Sequence, residues 1–136
     1  MTPVVQSSVA GAAIVTTPQD VATLDARKAL KMFEKVEVPV LGVVENMAVH
    51  VCSNCGHAEH LFGEGGGADG GAVRRGLLGS LPLELAIREQ CDAGVPAALP
   101  ESAVAHAYRI TARRLAAVLA GRPRVTRAIV ASLLEG

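Results

Sequence analysis

Two cysteines three positions apart, Cys52 and Cys55, stand in the string Val51-Cys52-Ser53-Asn54-Cys55-Gly56-His57 and are the chain's clearest chemistry. Thiolates are soft, strongly donating ligands, and this spacing lets both sulfurs converge on one metal or cluster. Gly56 supplies the backbone freedom a tight turn at that point requires. The pair is half a site, because tetrahedral zinc takes four ligands and an iron–sulfur cluster is commonly held by four cysteines. Cys91 is the one other cysteine, and it stands alone.

Three completions follow, each implying a different protein. His57 and His60 could close a Cys2His2 zinc knuckle within one chain, making a protein-interaction module. Two copies of the chain could pool four thiolates around a shared cluster, making an iron–sulfur carrier. Or the pair could cycle between dithiol and disulfide. That third use normally places the cysteines at a helix N-terminus, and Gly56 with the glycines from Gly63 onward make a poor helix start.

The elements that must position the turn have to be built from small side chains. Of 136 residues half are hydrophobic, yet two phenylalanines and one tyrosine are the only aromatics, so Ala, Val and Leu form one modest core. Such a core is marginal unless a partner or a metal adds to it. Thirteen basic and thirteen acidic residues cancel, leaving no electrostatic footprint for nucleic acid or an acidic membrane. No apolar run is long enough to span a bilayer and no signal peptide is present, so a cytoplasmic location is expected. An odd number of cysteines fits thiols kept reduced better than a disulfide framework.

Along the chain, Ala12 to Thr17 is a short apolar run of the kind buried in a parallel sheet, ended by Pro18. Asp20 is the expected N-cap of a helix running to about Lys35. Its apolar half carries Val21, Ala22, Ala26, Ala29, Leu30, Met32 and Phe33, and Asp25 falls inside that arc, between Val21 and Ala29, where it reads as an edge residue reaching water, with a contact at a subunit interface or nucleotide site as the alternative. Val38 to Val44 is a second strand, completing a right-handed β-α-β unit whose strands are parallel. Ligands of open parallel sheets collect at the carboxyl ends of the strands, which is where Glu45-Asn46-Met47 and the cysteine turn lie.

The run Phe62 to Gly71 contains a formal G-x-G-x-x-G at Gly65, Gly67 and Gly70, but without a strand before it or a helix after it this reads as a flexible loop. Leu77 to Leu81 is a third buried strand, Leu83 to Gln90 a short helix, and Cys91 at its end a partly buried free thiol. From Glu101 a long helix places Val104, Ala107, Tyr108, Thr111, Leu115 and Val118 on one stripe, with His106, Arg109 and Arg113 on the opposite, solvated face. Val125 to Leu134 is expected to form a last short amphipathic helix.

The string IVTTPQDVATLDARKALKMFEKVEVPVLGVVENMAVHVCSNCGHAEHLFGEGGG, residues 14 to 67, with LGSLPLELAIREQ after it, closely resembles the Mrp/ApbC family of iron–sulfur cluster carriers. The resemblance runs from about residue 9 to about residue 120 and covers the C-terminal half of that family's nucleotide-binding domain. It implies an α/β fold: a partial Rossmann-like P-loop NTPase domain, residues 1–120, with a parallel sheet of about three strands flanked by helices. Residues 121–136 are then a C-terminal extension.

The resemblance further implies a 4Fe–4S cluster bridged between two subunits, with Cys52 and Cys55 as ligands, a cluster-bridged homodimer, and apoprotein acceptors. Asn46, in the string VENM, matches an asparagine that commonly helps recognise adenine in the superfamily. The family binds ATP and magnesium through a deviant Walker A loop and a DxPPGTGD switch. Neither string occurs in these 136 residues, so ATP hydrolysis by this chain alone is not expected. A truncated product without independent function is the remaining reading.

Overall fold

The computed structural model describes residues 9–63 and 76–122. The apolar run near the start forms β1 (Ala12–Thr16), and the chain then turns through Pro18 into α1 (Asp20–Lys35) and returns as β2 (Val40–Glu45). Both strands and β5 (Leu77–Ser80) are parallel and lie in the order β1-β2-β5. The expected α/β unit with a three-stranded parallel sheet is therefore present, and the carboxyl ends of its strands, Thr16, Glu45 and Ser80, share one edge. Between β2 and β5 the chain also forms a two-stranded antiparallel ribbon, β3 (His50–Val51) with β4 (Ala58–Glu59), which periodicity over two residues per strand could not announce.

Helices cover the sheet on both faces. Ala26, Ala29, Leu30 and Phe33 of α1 pack on Ile14, Val40 and Val43. On the other face α3 (Ala103–Ala120) lays Ala107, Tyr108 and Leu115 on Val44, Leu78 and Leu81. The central strand β2 is thus buried from Leu41 to Val44, as a parallel strand with both faces covered must be. For β1 the expectation of full burial is corrected: Ile14 and Thr16 are buried, but Val15 is 64% exposed. The reason is placement, since β1 is an edge strand and α3 sits over β2 and β5 instead. The α1 stripe is likewise narrower than its sequence pattern, with Val21 and Met32 exposed beyond the strip that meets the sheet.

Helix ends correct the sequence reading by a residue or two. Gln19, not Asp20, is the N-cap of α1 and offers no side-chain cap; Asp20 is the first helical residue, where its carboxylate still favours the positive end of the helix dipole. The other end of α1 closes with the Val38 N–H on the Phe33 carbonyl at 3.0 Å and the Glu37 N–H on the Glu34 carbonyl at 3.3 Å. That is the Schellman arrangement, and it holds Glu37 at φ 56°, a conformation usually given to glycine.

The short helix α2 (Leu85–Asp92) begins two residues later than expected, because Leu83 stays extended and donates its N–H to the Val49 carbonyl. Cys91, expected to be partly buried, is exposed on this helix. Ser102 caps α3 by accepting the Ala105 N–H at 3.1 Å, and Ala105 is itself fully buried. On the α3 stripe Val104 is buried as expected, while Val118 is 39% exposed because the helix outruns the sheet. Arg109 pairs with Glu101 at 2.8 Å, His106 and Arg113 face solvent, and Asp25 pairs in solvent with Lys28 at 3.0 Å.

Among the described residues no helix is long and apolar enough to cross a membrane. Most of the glycine-rich run and the expected helix at 125–134 lie outside the described residues.

Candidate metal centre

The cysteine pair sits at the tip of the β3–β4 ribbon, on the side of the sheet where the strands end. The register His50 opposite Glu59 and Val51 opposite Ala58 leaves residues 52–57 as the connecting turn. Two backbone hydrogen bonds close it: the Cys52 N–H donates to the His57 carbonyl at 2.9 Å, and the Gly56 N–H to the Cys52 carbonyl at 2.8 Å. Gly56 takes φ 71°, and a side chain there would meet open space, so its need is conformational and not steric.

The turn makes Cys52 easier to deprotonate than an ordinary thiol. The backbone N–H of Cys55, then that of Asn54, and the Cys55 thiol all point to the Cys52 sulfur and hold its pKa below the ordinary thiol value. Slight desolvation and the Glu59 carboxylate oppose the shift. Both cysteines are free thiols, Cys52 partly covered and Cys55 exposed.

The histidines are placed differently from the zinc expectation. A carbonyl oxygen only accepts, so His60 bears its proton on Nδ1, donating to the Ala48 carbonyl at 2.7 Å, and His50 likewise donates to the Leu83 carbonyl at 3.1 Å. His57 contributes its carbonyl to the turn and leaves its ring exposed. Among the described residues no group of three or more His, Cys, Asp or Glu side chains converges to hold a metal. Cys52 and Cys55 are brought together; the two histidines are not brought to them. Sequence reasoning weighed His60 as a ligand and missed its role, and that of His50, as anchors of the ribbon on neighbouring carbonyls.

Asn46 lies at the base of the same excursion. Its N–H donates to the Thr16 carbonyl at 2.7 Å, the last rung between β1 and β2, and its side-chain Oδ1 accepts the Met47 N–H at 3.0 Å. The side-chain amide NH2 remains available to donate. Nearby, Glu45 accepts from the Ser80 hydroxyl at 3.4 Å.

Residues 1–116 match the family model ParA, described as NUBPL iron-transfer P-loop NTPase. Among curated proteins, the chain is 64% identical over 105 residues to an iron–sulfur cluster carrier protein of Pseudomonas fragi, covering 74% of this chain and 36% of that protein. It is 54% identical over 114 residues to an iron–sulfur cluster carrier protein of Escherichia coli K12, covering 82% and 31%. It is 47% identical over 107 residues to the mouse iron–sulfur cluster transfer protein NUBPL, covering 74% and 32%. The chain spans about a third of the length of these relatives. With the parallel sheet, the ribbon at the ends of its strands and a family match over most of its length, the chain belongs to the NUBPL iron-transfer P-loop NTPase family.

Proposed function

We propose that the chain carries a 4Fe–4S cluster on Cys52 and Cys55 and on the same pair of a second copy, and hands it to apoprotein acceptors in the cytoplasm. The observation that carries this reading is the ribbon tip itself. It offers two adjacent free thiols, one with its pKa lowered by backbone N–H groups, and no third protein ligand converges on them among the described residues. Four thiolates are then reached by pairing two tips, and an exposed tip is the part of the chain a second copy or an acceptor can approach. The names of the relatives support the carrier role.

Nucleotide chemistry is assigned more narrowly. The free amide NH2 of Asn46 is the group this chain offers to an adenine ring. No Gly-Lys-Ser or Gly-Lys-Thr occurs in the 136 residues, so the chain by itself supplies no cradle for the β- and γ-phosphates or for magnesium.

Anaerobic reconstitution with iron and sulfide tests the reading, with iron and sulfide per chain, visible absorption and mass by light scattering measured together. Half a cluster per chain, in a dimer that dissociates when the cluster is removed, is the expected result. Cys52→Ser or Cys55→Ser appears in both copies, removes two of four ligands and should abolish the cluster, while His57→Ala and Cys91→Ser should leave it. One colourless zinc per monomer, lost in His57→Ala, would replace the carrier with a zinc module.

A further inference from the structure

The chain leaves β2 by an irregular route. The Leu81 N–H donates to the Glu45 carbonyl at 2.8 Å, and the Leu81 carbonyl accepts the Ala48 N–H at 3.0 Å. In a regular parallel ladder a residue bonds to two partners separated by one residue, here 45 and 47. The second partner is instead residue 48, so one extra residue is looped out between Glu45 and Ala48. A second insertion follows, because a regular ladder would then bring the Leu83 N–H to the Ala48 carbonyl, and it bonds instead to that of Val49 at 2.8 Å, with a bridge between His50 and Leu83.

The first insertion has a conformational signature. Met47 sits at φ 57°, in the left-handed region that a residue with a side chain occupies at a disadvantage of roughly tenfold. Its N–H would otherwise be freed by the loop-out, and it is taken by Oδ1 of Asn46 at 3.0 Å. On the far side of the kink Ala48 is buried, and His60 donates to its carbonyl at 2.7 Å. The two insertions together advance the chain by two residues, which keeps the alternation of faces but brings His50, and not Ala48, opposite Leu83. The kink at Met47 supplies the first of them and so helps set the register at which the β3–β4 ribbon starts and Cys52 enters the turn.

We propose that Asn46 is a positioning residue for the cysteine pair: by accepting the Met47 N–H it holds the left-handed kink that begins the register shift leading into the ribbon. The proposal deepens the cluster-carrier reading and rests on it only for its cluster measurements. It also gives Asn46 Oδ1 a task distinct from the adenine contact assigned above to the amide NH2.

The test uses the full chain and a substitution that relieves the need for the clamp. Glycine adopts positive φ without penalty, so Met47→Gly makes the kink independent of Asn46. Amide hydrogen exchange on the cluster-free chain is read at Ala48 and Cys52, with Leu78 in the core as the control. Asn46→Ala should raise exchange at Ala48 and Cys52 about tenfold and leave Leu78 unchanged. Asn46→Asp, which keeps the acceptor oxygen, should behave as the wild type, and Asn46→Ala with Met47→Gly should restore protection.

In the reconstituted protein, Asn46→Ala should lower cluster content and shift the visible and electron paramagnetic spectra, and the double variant should bring both back. Unchanged exchange in Asn46→Ala overturns the proposal, as does a loss that Met47→Gly fails to restore. If Asn46→Ala fails to fold, recovery of folding in the double variant supports the clamp, and no recovery overturns it. If the exchange results come out as expected but no variant, wild type included, takes up a cluster, the clamp stands and the carrier reading falls. An effect confined to ATP affinity, with exchange unmoved, would leave Asn46 as a nucleotide contact and overturn the positioning role.

Discussion

Gly79 of β5 lies directly against Thr111 of α3. A Cβ placed on Gly79 would overlap Thr111 Oγ1 and come within 3.0 Å of its Cβ, so the strand and helix touch at a point where no side chain fits. Thr111 turns its hydroxyl to the Ala107 carbonyl of its own helix at 2.9 Å, which satisfies the group at this close approach. Gly79→Ala should therefore destabilise the chain by about 1–3 kcal/mol through overpacking. Combining it with Thr111→Ala should recover part of that loss, read as a coupling in a double-mutant cycle of urea unfolding. Two effects that simply add would show that the contact is looser than described.

The α3 stripe is unequal along its length, and stability should follow burial. Leu78, 3% exposed beneath α3, should cost about 2–5 kcal/mol on replacement by alanine. Leu115 packs on the same cluster but is only partly buried, so Leu115→Ala should cost less, about 1–2 kcal/mol. Full burial at position 115 would have put both in the same range. Equilibrium denaturation of the two variants decides between a helix docked along its whole stripe and one docked mainly at its start.

Cys52 ties stability of the cluster-free chain to pH. The N–H groups of Cys55 and Asn54 favour its thiolate in the folded turn, so its folded pKa lies below the unfolded one. The resulting stabilisation is complete above the unfolded thiol value and is lost as pH falls through the folded value. Alkylation of Cys52 by iodoacetamide, followed by mass spectrometry across a pH series, should give a midpoint lower in the folded chain than in urea. A folded midpoint equal to or above the unfolded one would contradict this placement of the turn.

A chain of these 136 residues should not hydrolyse ATP at a measurable rate. Phosphoryl transfer depends on groups that hold the β- and γ-phosphates and magnesium, and the sequence contains no Gly-Lys-Ser or Gly-Lys-Thr to provide them. Phosphate release from rigorously purified protein is the measurement. Magnesium-dependent turnover that copurifies with the chain through every column would overturn the expectation.

The sequence by itself determined the parts of this protein that depend on local pattern. The β-branched runs at 12–16 and 40–45, the 3.6-residue stripe of α1 and α3, and Pro18 and Gly94 as breaks all act over a few residues, and the sheet, its helices and its parallel order follow from them. The cysteine pair was legible for the same reason, since C-x-x-C is a spacing.

Tertiary structure alone decided what depends on neighbours distant in the chain. Val15 and Ile14 are equally apolar, and only the absence of a helix over one face of β1 separates an exposed residue from a buried one. The β3–β4 ribbon pairs two residues with two, too short for any periodicity, and exists because Leu83, Ala48 and His60 hold its base. The left-handed kink at Met47 has no signal in the identity of methionine, a poor occupant of that region. It persists because Asn46 and Leu81, one adjacent and one thirty-four residues away, take its flanking backbone groups.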